Sequence, residues 1–315
     1  MEILDEMLSS LRLSGGLFLD GEFSAPWSVL SHITPEDCAK FFPVPEHVIG
    51  YHFVRSGSLT CRIGDGTPIT VKAGEIVLLP RNEPHILDGP VPTRTVSARE
   101  LLGPPEPDGL YHLRWGGGGA LTTVYCGYLG TVEADHTLLQ NLPSIMTVGV
   151  SDLPDQDWLV RVLDFAAGGL SYNSPEMVGK LAEGLFSEAV RRYVSAMPAE
   201  ESGWLAGLRD PAVGKALSLI HRRYVETWTL EQLAHEAGTS KTVLVDRFRE
   251  LVGDSPMQYC ARWRMRMAAQ MLRSNRHNAC SVAYSVGFNS EAAFSRAFKR
   301  EYGVPPGAWQ REHVH

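Results

Sequence analysis

The hydrophobic pattern of the first 110 residues predicts a series of short β-strands. Apolar runs alternate with breaks rich in glycine and serine, such as residues 56–58 and 64–66. Many short strands separated by turn residues are typical of a β-sandwich or a β-barrel. The clearest runs are Val48–Val54, Leu59–Ile63, Ile69–Val71, Ile76–Leu79 and, further along the chain, Leu121–Tyr128.

The hydrophobic period becomes helical after residue 155. Trp158, Val162 and Phe165 recur at helical spacing, and a second helix is predicted over residues 178–197. An apolar stripe on that helix predicts either a core face or a dimer interface. The stripe consists of Leu181, Leu185, Phe186, Ala189 and Tyr193.

The last hundred residues contain one helical unit written twice. The two copies are offset by 49 residues up to a glycine and by 50 residues after it. A helix, a glycine turn and a second helix with basic residues, present in tandem, predict a DNA-binding module with two helix-turn-helix units. The matching positions are Leu233, Ala234, Gly238, Leu244, Phe248, Gly253, Pro256 and Tyr259 in the first copy, and Val282, Ala283, Gly287, Phe294, Phe298, Gly303, Pro306 and Trp309 in the second.

The apolar spacing also places the helices of this module. A linker is predicted over residues 198–211, and Asp210 followed by Pro211 is typical of a helix start. The predicted helices are Pro211–Tyr224, Leu230–Ala237, Lys241–Val252, Met257–Ser274, Ser281–Val286 and Glu291–Tyr302.

The third and the last of these helices are the predicted recognition helices. Their side chains opposite the packing residues are expected to contact DNA, although any one of them alone is typical of a solvated helix face. They are Lys241, Thr242, Val245, Asp246 and Arg249 in the first copy, and Glu291, Ala292, Ser295, Arg296, Lys299 and Arg300 in the second.

The charge distribution agrees with a DNA-binding C-terminal part. The 315 residues carry a net charge of −7, but residues 215–315 hold 15 basic and 9 acidic side chains, and residues 1–214 hold 14 basic and 27 acidic ones. A basic segment attracts phosphates, whereas an acidic partner domain limits unspecific binding.

The cysteines and the N-terminus bear on the compartment. Five cysteines form no C-x-x-C pair, and an odd count argues against a disulfide framework. The acidic N-terminus differs from a secretory signal, and no apolar run has the length of a membrane span. We therefore expect a cytoplasmic protein that does not bind membranes.

The C-terminal repeat resembles the AraC/XylS family of bacterial transcription regulators. The resemblance covers about residues 212–312 and is carried by Thr229–Gly253, by Ser255–Tyr259 and most specifically by Gly287–Gly307. It implies two recognition helices in successive major grooves. The DNA contacts implied are Ser240, Lys241, Thr242, Val245, Ser290, Glu291, Ser295 and Arg296.

Asp246 departs from the family pattern, because relatives often carry a basic or an amide side chain there. A carboxylate repels phosphate and can only accept from a base donor such as cytosine N4. The departure bears on both the strength of DNA binding and the base preference of the first recognition helix, so neither is carried over from the family.

The N-terminal part resembles the cupin-type sensor domain of many AraC-family regulators, over about residues 1–195. The resemblance is carried by Tyr51–Gly57, Gly74–Pro80, His85 and the pair Cys126-Gly127. Gly50 occupies the position where cupins with a metal centre carry a glutamate. The ligand set of a cupin oxygenase or isomerase is thus incomplete, and neither a metal nor a catalytic residue is predicted.

His52, His85 and Cys126 are the candidate effector-binding residues, because the two histidines stand at neighbouring strand ends of such a barrel. The alternatives are histidines satisfied by backbone hydrogen bonds and histidines that bind a metal. Cys126 either packs as a small apolar residue or, with a lowered pKa, serves as a thiolate sensor.

Together these patterns predict an α+β protein: a cupin-like β-barrel with flanking helices over residues 1–197, a linker over 198–211 and an all-α double helix-turn-helix domain over 212–312. The predicted function is sequence-specific transcription regulation under a small-molecule or redox signal, without enzyme activity or cofactor. A cupin metalloenzyme with a DNA-binding tail and an architectural protein with a vestigial pocket are the alternatives. Double-stranded DNA is the expected partner, with an unknown effector, RNA polymerase and a second copy of the chain as further candidates.

Overall fold

The computed structural model describes residues 2–313 except 41–43, 92, 105–110, 134–135, 150–174, 199–202 and 274–276. The chain divides into two compact units, one of Met7–Ala196 and one of Met197–His315 together with Met1–Glu6. The predicted helical repeat of Trp158, Val162 and Phe165 lies outside the described residues. Among the described helices, none is both long enough and apolar enough to cross a membrane.

The first unit consists of two facing β-sheets. One sheet has the strand order β11-β6-β3-β10-β1-β9 and the other the order β5-β4-β7-β2-β8. The fold is thus a sandwich of two sheets rather than the predicted closed barrel. The strands are β1 (Ser14–Ser24), β2 (Ser28–Ser31), β3 (His47–Ser56), β4 (Ser58–Ile63), β5 (Ile69–Lys72), β6 (Glu75–Leu79), β7 (His85–Asp88), β8 (Val96–Ser97), β9 (Tyr111–Gly116), β10 (Leu121–Thr131) and β11 (Met146–Gly149).

Strand alternation places one set of side chains between the sheets. Val124 and Cys126 of β10, Val54 of β3 and Leu87 of β7 belong to one buried cluster. Each predicted strand is confirmed and is extended by one to three residues at one or both ends. The short helices of the sandwich unit are α2 (Ala98–Leu101) and α3 (Thr137–Asn141), with a 3-10 turn over Pro35–Lys40. Helix α1 (Glu2–Ser10) crosses the boundary between the two units, which lies between Glu6 and Met7.

The helix predicted over residues 178–197 is α4 (Pro175–Ala196), which packs against β1 and β11. Leu185, Phe186 and Ala189 of its apolar stripe are buried within this unit. These three residues of the stripe therefore form a core face, whereas Leu181 and Tyr193 are half-buried.

The second unit is helical, as predicted, and both recognition helices have the predicted bounds. Part of the predicted linker is itself a helix, α5, in which Trp204, Leu205 and Leu208 are buried. The helices are α5 (Trp204–Arg209), α6 (Pro211–Arg222), α7 (Leu230–Glu236), α8 (Lys241–Val252), α9 (Pro256–Arg273), α10 (Ala279–Ser285), α11 (Glu291–Tyr302) and α12 (Pro306–His313).

Candidate nucleic-acid interface and sensing site

The two helix-turn-helix units, α7–α8 and α10–α11, have the same local construction. A glycine with positive φ, Gly238 or Gly287, turns the chain between the helices of each unit. Ser240 and Ser290 cap the recognition helices, each accepting a backbone N–H three residues on at 3.3 Å. The repeat seen in the sequence is thus also a repeat of structure.

Two aromatic or aliphatic side chains anchor each recognition helix. Leu244 and Phe248 on α8, and Phe294 and Phe298 on α11, are fully buried. The predicted DNA-contacting side chains lie on the opposite faces. Lys241, Thr242, Asp246, Arg249, Glu291, Ala292, Arg296, Lys299 and Arg300 are exposed, as are the caps Ser240 and Ser290, while Val245 and Ser295 are half-buried.

The two exposed faces differ in charge. On α8 the positive charges of Lys241 and Arg249 are matched by Asp246 and Glu250, and Lys241 also forms an ion pair with Glu231 of α7. The face of α11 has a positive excess from three basic side chains opposed by one carboxylate: Arg296, Lys299, Arg300 and Glu291.

Sequence reasoning missed two residues of the α8 face. Glu250 is exposed one turn beyond Asp246, and the side chain of Val243 is 46% exposed. An exposed valine in the first turn of a recognition helix could contact a thymine methyl group. Helical angle alone would have included both residues, but the charge-based selection favoured basic positions.

A buried carboxylate fixes the position of α8. Asp210 Oδ1 accepts the backbone N–H groups of Ala212 and Val213 at 3.0 and 2.8 Å and so caps α6. Its other oxygen accepts from Arg247 Nε of α8 at 2.7 Å. One side chain thereby ties the recognition helix to the start of α6.

The loop between α6 and α7 contacts both the connecting helix α9 and the turn of the second helix-turn-helix unit. Arg264 of the connecting helix α9 donates to the carbonyl oxygens of Tyr224 and Glu226 in the loop that follows α6. A Cβ on Gly287 would lie 2.3 Å from the carbonyl oxygen of Val225 in the same loop. These contacts hold the second turn against the loop between α6 and α7.

In the sandwich, the structure brings His52, His85 and Cys126 together. Cys126 on β10 is the register partner of His52 on β3, and both point between the sheets. His52 Nδ1 lies 2.8 Å from Cys126 Sγ, and His52 Nε2 lies 2.7 Å from His85 Nε2 on the opposite sheet. The three side chains form a continuous row, called here the His–His–Cys row.

The hydrogen bonds assign every proton of the His–His–Cys row. His85 Nδ1 lies 2.8 Å from the carbonyl oxygen of Glu83, which can only accept, so His85 is protonated on Nδ1 and accepts on Nε2. His52 must then donate from Nε2 and accept on Nδ1, and the Cys126 thiol is its donor. The hydrogen bonds of the row thus run in one direction: Cys126 donates to His52, His52 donates to His85, and His85 donates to the Glu83 carbonyl oxygen. Every member of the row is neutral.

Burial accounts for this neutrality. The side chains of His52, His85 and Cys126 are at most 5% exposed. Burial, assisted by the neighbouring His85, lowers the pKa of His52 well below its usual value, and burial also lowers the pKa of His85 to about 4. Burial raises the pKa of the Cys126 thiol, so the sulfur is a hydrogen-bond donor and not a thiolate at neutral pH.

The row differs from the predicted alternative in which backbone hydrogen bonds satisfy both histidines. Only His85 is held by a backbone carbonyl, whereas His52 bonds to two side chains. Cys126 and His85 occupy opposite nitrogens of the His52 ring. Within the described part of the chain, no three His, Cys, Asp or Glu side chains are grouped so that they could hold a metal ion.

Comparison with known proteins gives the family. A cupin family model matches residues 2–195, and a helix-turn-helix domain model matches residues 233–312. An AraC-like transcription regulator of Streptomyces lividans is 31% identical over 317 residues, which cover 99% of this chain and 98% of the relative. The chain belongs to the AraC family of transcription regulators. Its double helix-turn-helix unit is the DNA-binding part of this regulator.

Two further similarities concern relatives with a named role. The transcriptional regulator MtrA of Neisseria gonorrhoeae is 28% identical over 317 residues, which cover 99% of both chains. The DNA-binding domain of AdpA, solved in complex with a target DNA, is 28% identical, covers 33% of this chain and 92% of that domain, and has a TM-score of 0.31. AraC-type DNA-binding domains bind double-stranded DNA, and the cupin domain of such a regulator fits ligand sensing rather than a metalloenzyme.

Proposed function

We propose that this regulator recognises a specific operator with α8 and α11 in successive major grooves, and that the His–His–Cys row belongs to the site that senses its signal. Residues 1–197 form the sensing domain, 198–211 the connection and 212–312 the DNA-binding domain. The observation that supports this most strongly is the duplicated unit, in which equal caps, turns and buried anchors present two exposed faces.

The proposed DNA contacts are the exposed faces described above. Helix N-termini and basic side chains bind phosphates, and side chains along the first turns reach base edges. The contacts are Ser240, Lys241, Thr242, Val245, Asp246 and Arg249 from α8, and Ser290, Glu291, Ser295, Arg296, Lys299 and Arg300 from α11.

Arg296→Ala tests the interface. Operator fragments are first selected from genomic DNA with the purified full-length protein, and affinity is then measured by fluorescence anisotropy at several salt concentrations. A base contact predicts a loss of about 1–3 kcal/mol and relaxed specificity at one position, whereas a phosphate contact predicts a salt slope smaller by about one. Lys215→Ala, which removes one exposed positive charge from α6, is the matched control. Unchanged binding by Arg296→Ala would contradict both roles.

The signal is proposed to be a small molecule or a redox-active compound. A relative from Escherichia coli, 26% identical over 271 residues that cover 85% of both chains, is named an RCS-specific transcriptional activator, which supports the redox class. The neutral, fully hydrogen-bonded row agrees better with a small-molecule site, because a buried thiol with a raised pKa reacts slowly. Replacing His52 and His85 by glutamine should blunt the response of a reporter gene while operator binding persists. An undiminished response would exclude the row.

The remaining partners follow from the family. A second copy of the chain and RNA polymerase are proposed as partners, and the cytoplasm as the location, because a bacterial regulator acts on chromosomal DNA. Sedimentation of the full-length protein with and without operator DNA measures its oligomeric state and so tests whether a second copy of the chain binds.

A further inference from the structure

The two recognition helices carry opposite charges at equivalent positions. With the offset of 50 residues, Asp246 of α8 corresponds to Arg296 of α11, and Glu250 corresponds to Arg300. All four side chains are exposed, on helices of the same length with the same serine cap and the same glycine end. Since the two frames are alike, the two faces differ in the groups that they can bind. Arginine donates to base acceptors such as guanine O6 and N7, whereas a carboxylate accepts from a base amino group.

Within the described part of the chain, the side chain of Asp246 has no partner. Two of the three basic side chains of α8 are bound inside the helical unit, because Lys241 forms an ion pair with Glu231 and Arg247 donates to Asp210. The carboxylate of Asp246 forms neither an ion pair nor a hydrogen bond with any residue that the structure describes. Since Asp246 is also exposed, its two oxygens are available to a base amino group.

An apolar side chain lies beside Asp246 on the same face of α8. Val243 is 46% exposed and precedes Asp246 by three residues, so their Cβ atoms lie about 5–6 Å apart. The Ser240 cap accepts the backbone N–H of Val243 and holds it in the first turn of the helix. The χ1 angle of valine in a helix is nearly fixed, so its two methyl groups point in one direction and lose little entropy on binding. The equivalent residue of α11 is Ala293, which lacks these methyl groups.

One combination of bases in the major groove suits both side chains. The methyl group of thymine is the apolar group that base edges present there, and bases repeat about every 3.4 Å along a strand. Two side chains about 5–6 Å apart therefore reach base pairs that are adjacent or next but one. Adenine presents its amino group beside N7, an acceptor that repels a carboxylate, whereas cytosine presents its amino group alone. A thymine close to a cytosine thus matches Val243 and Asp246.

We propose that Val243 and Asp246 are the specificity-determining pair of α8, and that they require a thymine and a cytosine in the same half of the operator. Val243 contacts the thymine methyl group, and Asp246 accepts from the cytosine amino group one or two base pairs away. This assignment rests on the proposed operator recognition and names the bases that α8 reads. At the equivalent positions α11 has Ala293 and Arg296, so the other half of the operator does not share this requirement.

Single exchanges of thymine for deoxyuridine test Val243, because deoxyuridine lacks only the methyl group. Operator fragments are selected from genomic DNA with the purified full-length protein, and affinity is measured by fluorescence anisotropy at constant salt. One of these exchanges should weaken binding by the wild type about fourfold, the value of one buried methyl group. Val243→Ala should bind the thymine and the deoxyuridine operators equally. Val132→Ala, which shortens an exposed valine of the sandwich unit, is the matched control and should discriminate as the wild type does.

The cytosine near that thymine tests Asp246. Exchange of this C·G pair for any other base pair should weaken binding by the wild type at least about fivefold. Asp246→Ala should bind all four base pairs with about equal affinity, and Asp246→Asn should prefer adenine, whose N6 and N7 match an amide. Glu312→Ala, which removes an exposed carboxylate from α12, is the matched control for the change in charge and should keep the preference for cytosine.

Three results would overturn the assignment: a wild type insensitive to every deoxyuridine, a Val243→Ala variant as sensitive as the wild type, and an Asp246→Ala variant that still prefers cytosine. Both variants place alanine, the best helix former, at exposed helical positions, so circular dichroism should show an unchanged fold. If the protein selects an operator and both variants behave as the wild type does, only this assignment fails. If the protein selects no sequence over random competitor DNA, the proposed function fails as well.

Discussion

The pH dependence of sandwich stability can be worked out from His85. Burial lowers the pKa of this histidine from its ordinary value of 6.5 to about 4 in the folded state. Between pH 6.5 and pH 4, His85 is therefore protonated in the unfolded chain but not in the folded chain. The contribution of neutral His85 to the free energy of unfolding is fully present above pH 6.5 and is lost as the pH falls towards 4. One pKa unit corresponds to about 1.4 kcal/mol, so the loss between pH 7 and pH 4 is about 3 kcal/mol.

His85→Gln removes the titrating group and isolates its effect. The free energy of unfolding is measured in urea at pH 7 and pH 4, with pulsed hydrogen exchange of peptides from β3 and β10 to follow the sandwich alone. The variant should be less stable than the wild type at pH 7, because glutamine does not keep the packing of the buried His85 ring or the geometry of its hydrogen bonds to His52 and to the Glu83 carbonyl oxygen. Its further loss between pH 7 and pH 4 should be smaller than that of the wild type by about 3 kcal/mol.

The carboxylates titrate in the wild type and in the variant alike, so their effect on stability cancels when the two pH dependences are subtracted. His235→Gln, which changes an exposed histidine on α7, should leave the pH dependence of the sandwich as in the wild type. If His85→Gln and the wild type lose the same free energy within about 1 kcal/mol, the histidine is not buried in its neutral form. The assignment of protons along the row would then be wrong.

Three further predictions concern the helical unit. Asp246→Arg should raise general DNA affinity and steepen its salt slope by about one, as measured by anisotropy; a lower affinity would show that Asp246 contacts a base. Gly238→Ala should lower the free energy of unfolding in urea by about 1 kcal/mol, because this glycine has a positive φ. Gly287→Ala should lower it by more, because Gly287 also has a positive φ and its added Cβ would meet backbone atoms. Equal losses would contradict the packing of the second turn. Asp210→Ala should lower the free energy of unfolding by about 1–2 kcal/mol, because the cap of α6 is lost. Asp210→Asn keeps a capping oxygen and loses only the ion pair with half-exposed Arg247, so it should cost less than about 1 kcal/mol. If thermal unfolding gives the reverse order, the ion pair is the main contribution.

The helical unit was predictable from sequence because its signals are local. Glycine turns, serine caps and apolar spacing fixed α8 and α11 at their observed ends. The strands β3 to β6 were predictable for the same reason, since each is an apolar run between turn residues. By contrast, β1 contains Gly15, Gly16, Asp20 and Gly21, and its strand form depends on pairing with β10 and β9, more than eighty residues away. Such pairing leaves no local pattern.

The candidate sensing site was partly predictable in the same sense. His52, His85 and Cys126 were recognisable as a set through family resemblance, but their order in the row depends on the register between β3 and β10 and on the approach of the second sheet.

The unequal charge of the two recognition helices suggests that α11 supplies most of the affinity for DNA and α8 most of the specificity. Arg296, Lys299 and Arg300 of α11 form no ion pair among the described residues, so their charge is available to phosphates, and phosphate contacts supply most of the affinity that does not depend on sequence. On α8 the carboxylates offset the basic residues, so this helix gains little from an arbitrary duplex. If Asp246 faces a base as proposed, α8 would bind well only where a base donor meets this carboxylate, because a carboxylate left unpaired in the interface is penalised at other sequences. A regulator built in this way would be held on DNA by α11 and would discriminate among sites with α8.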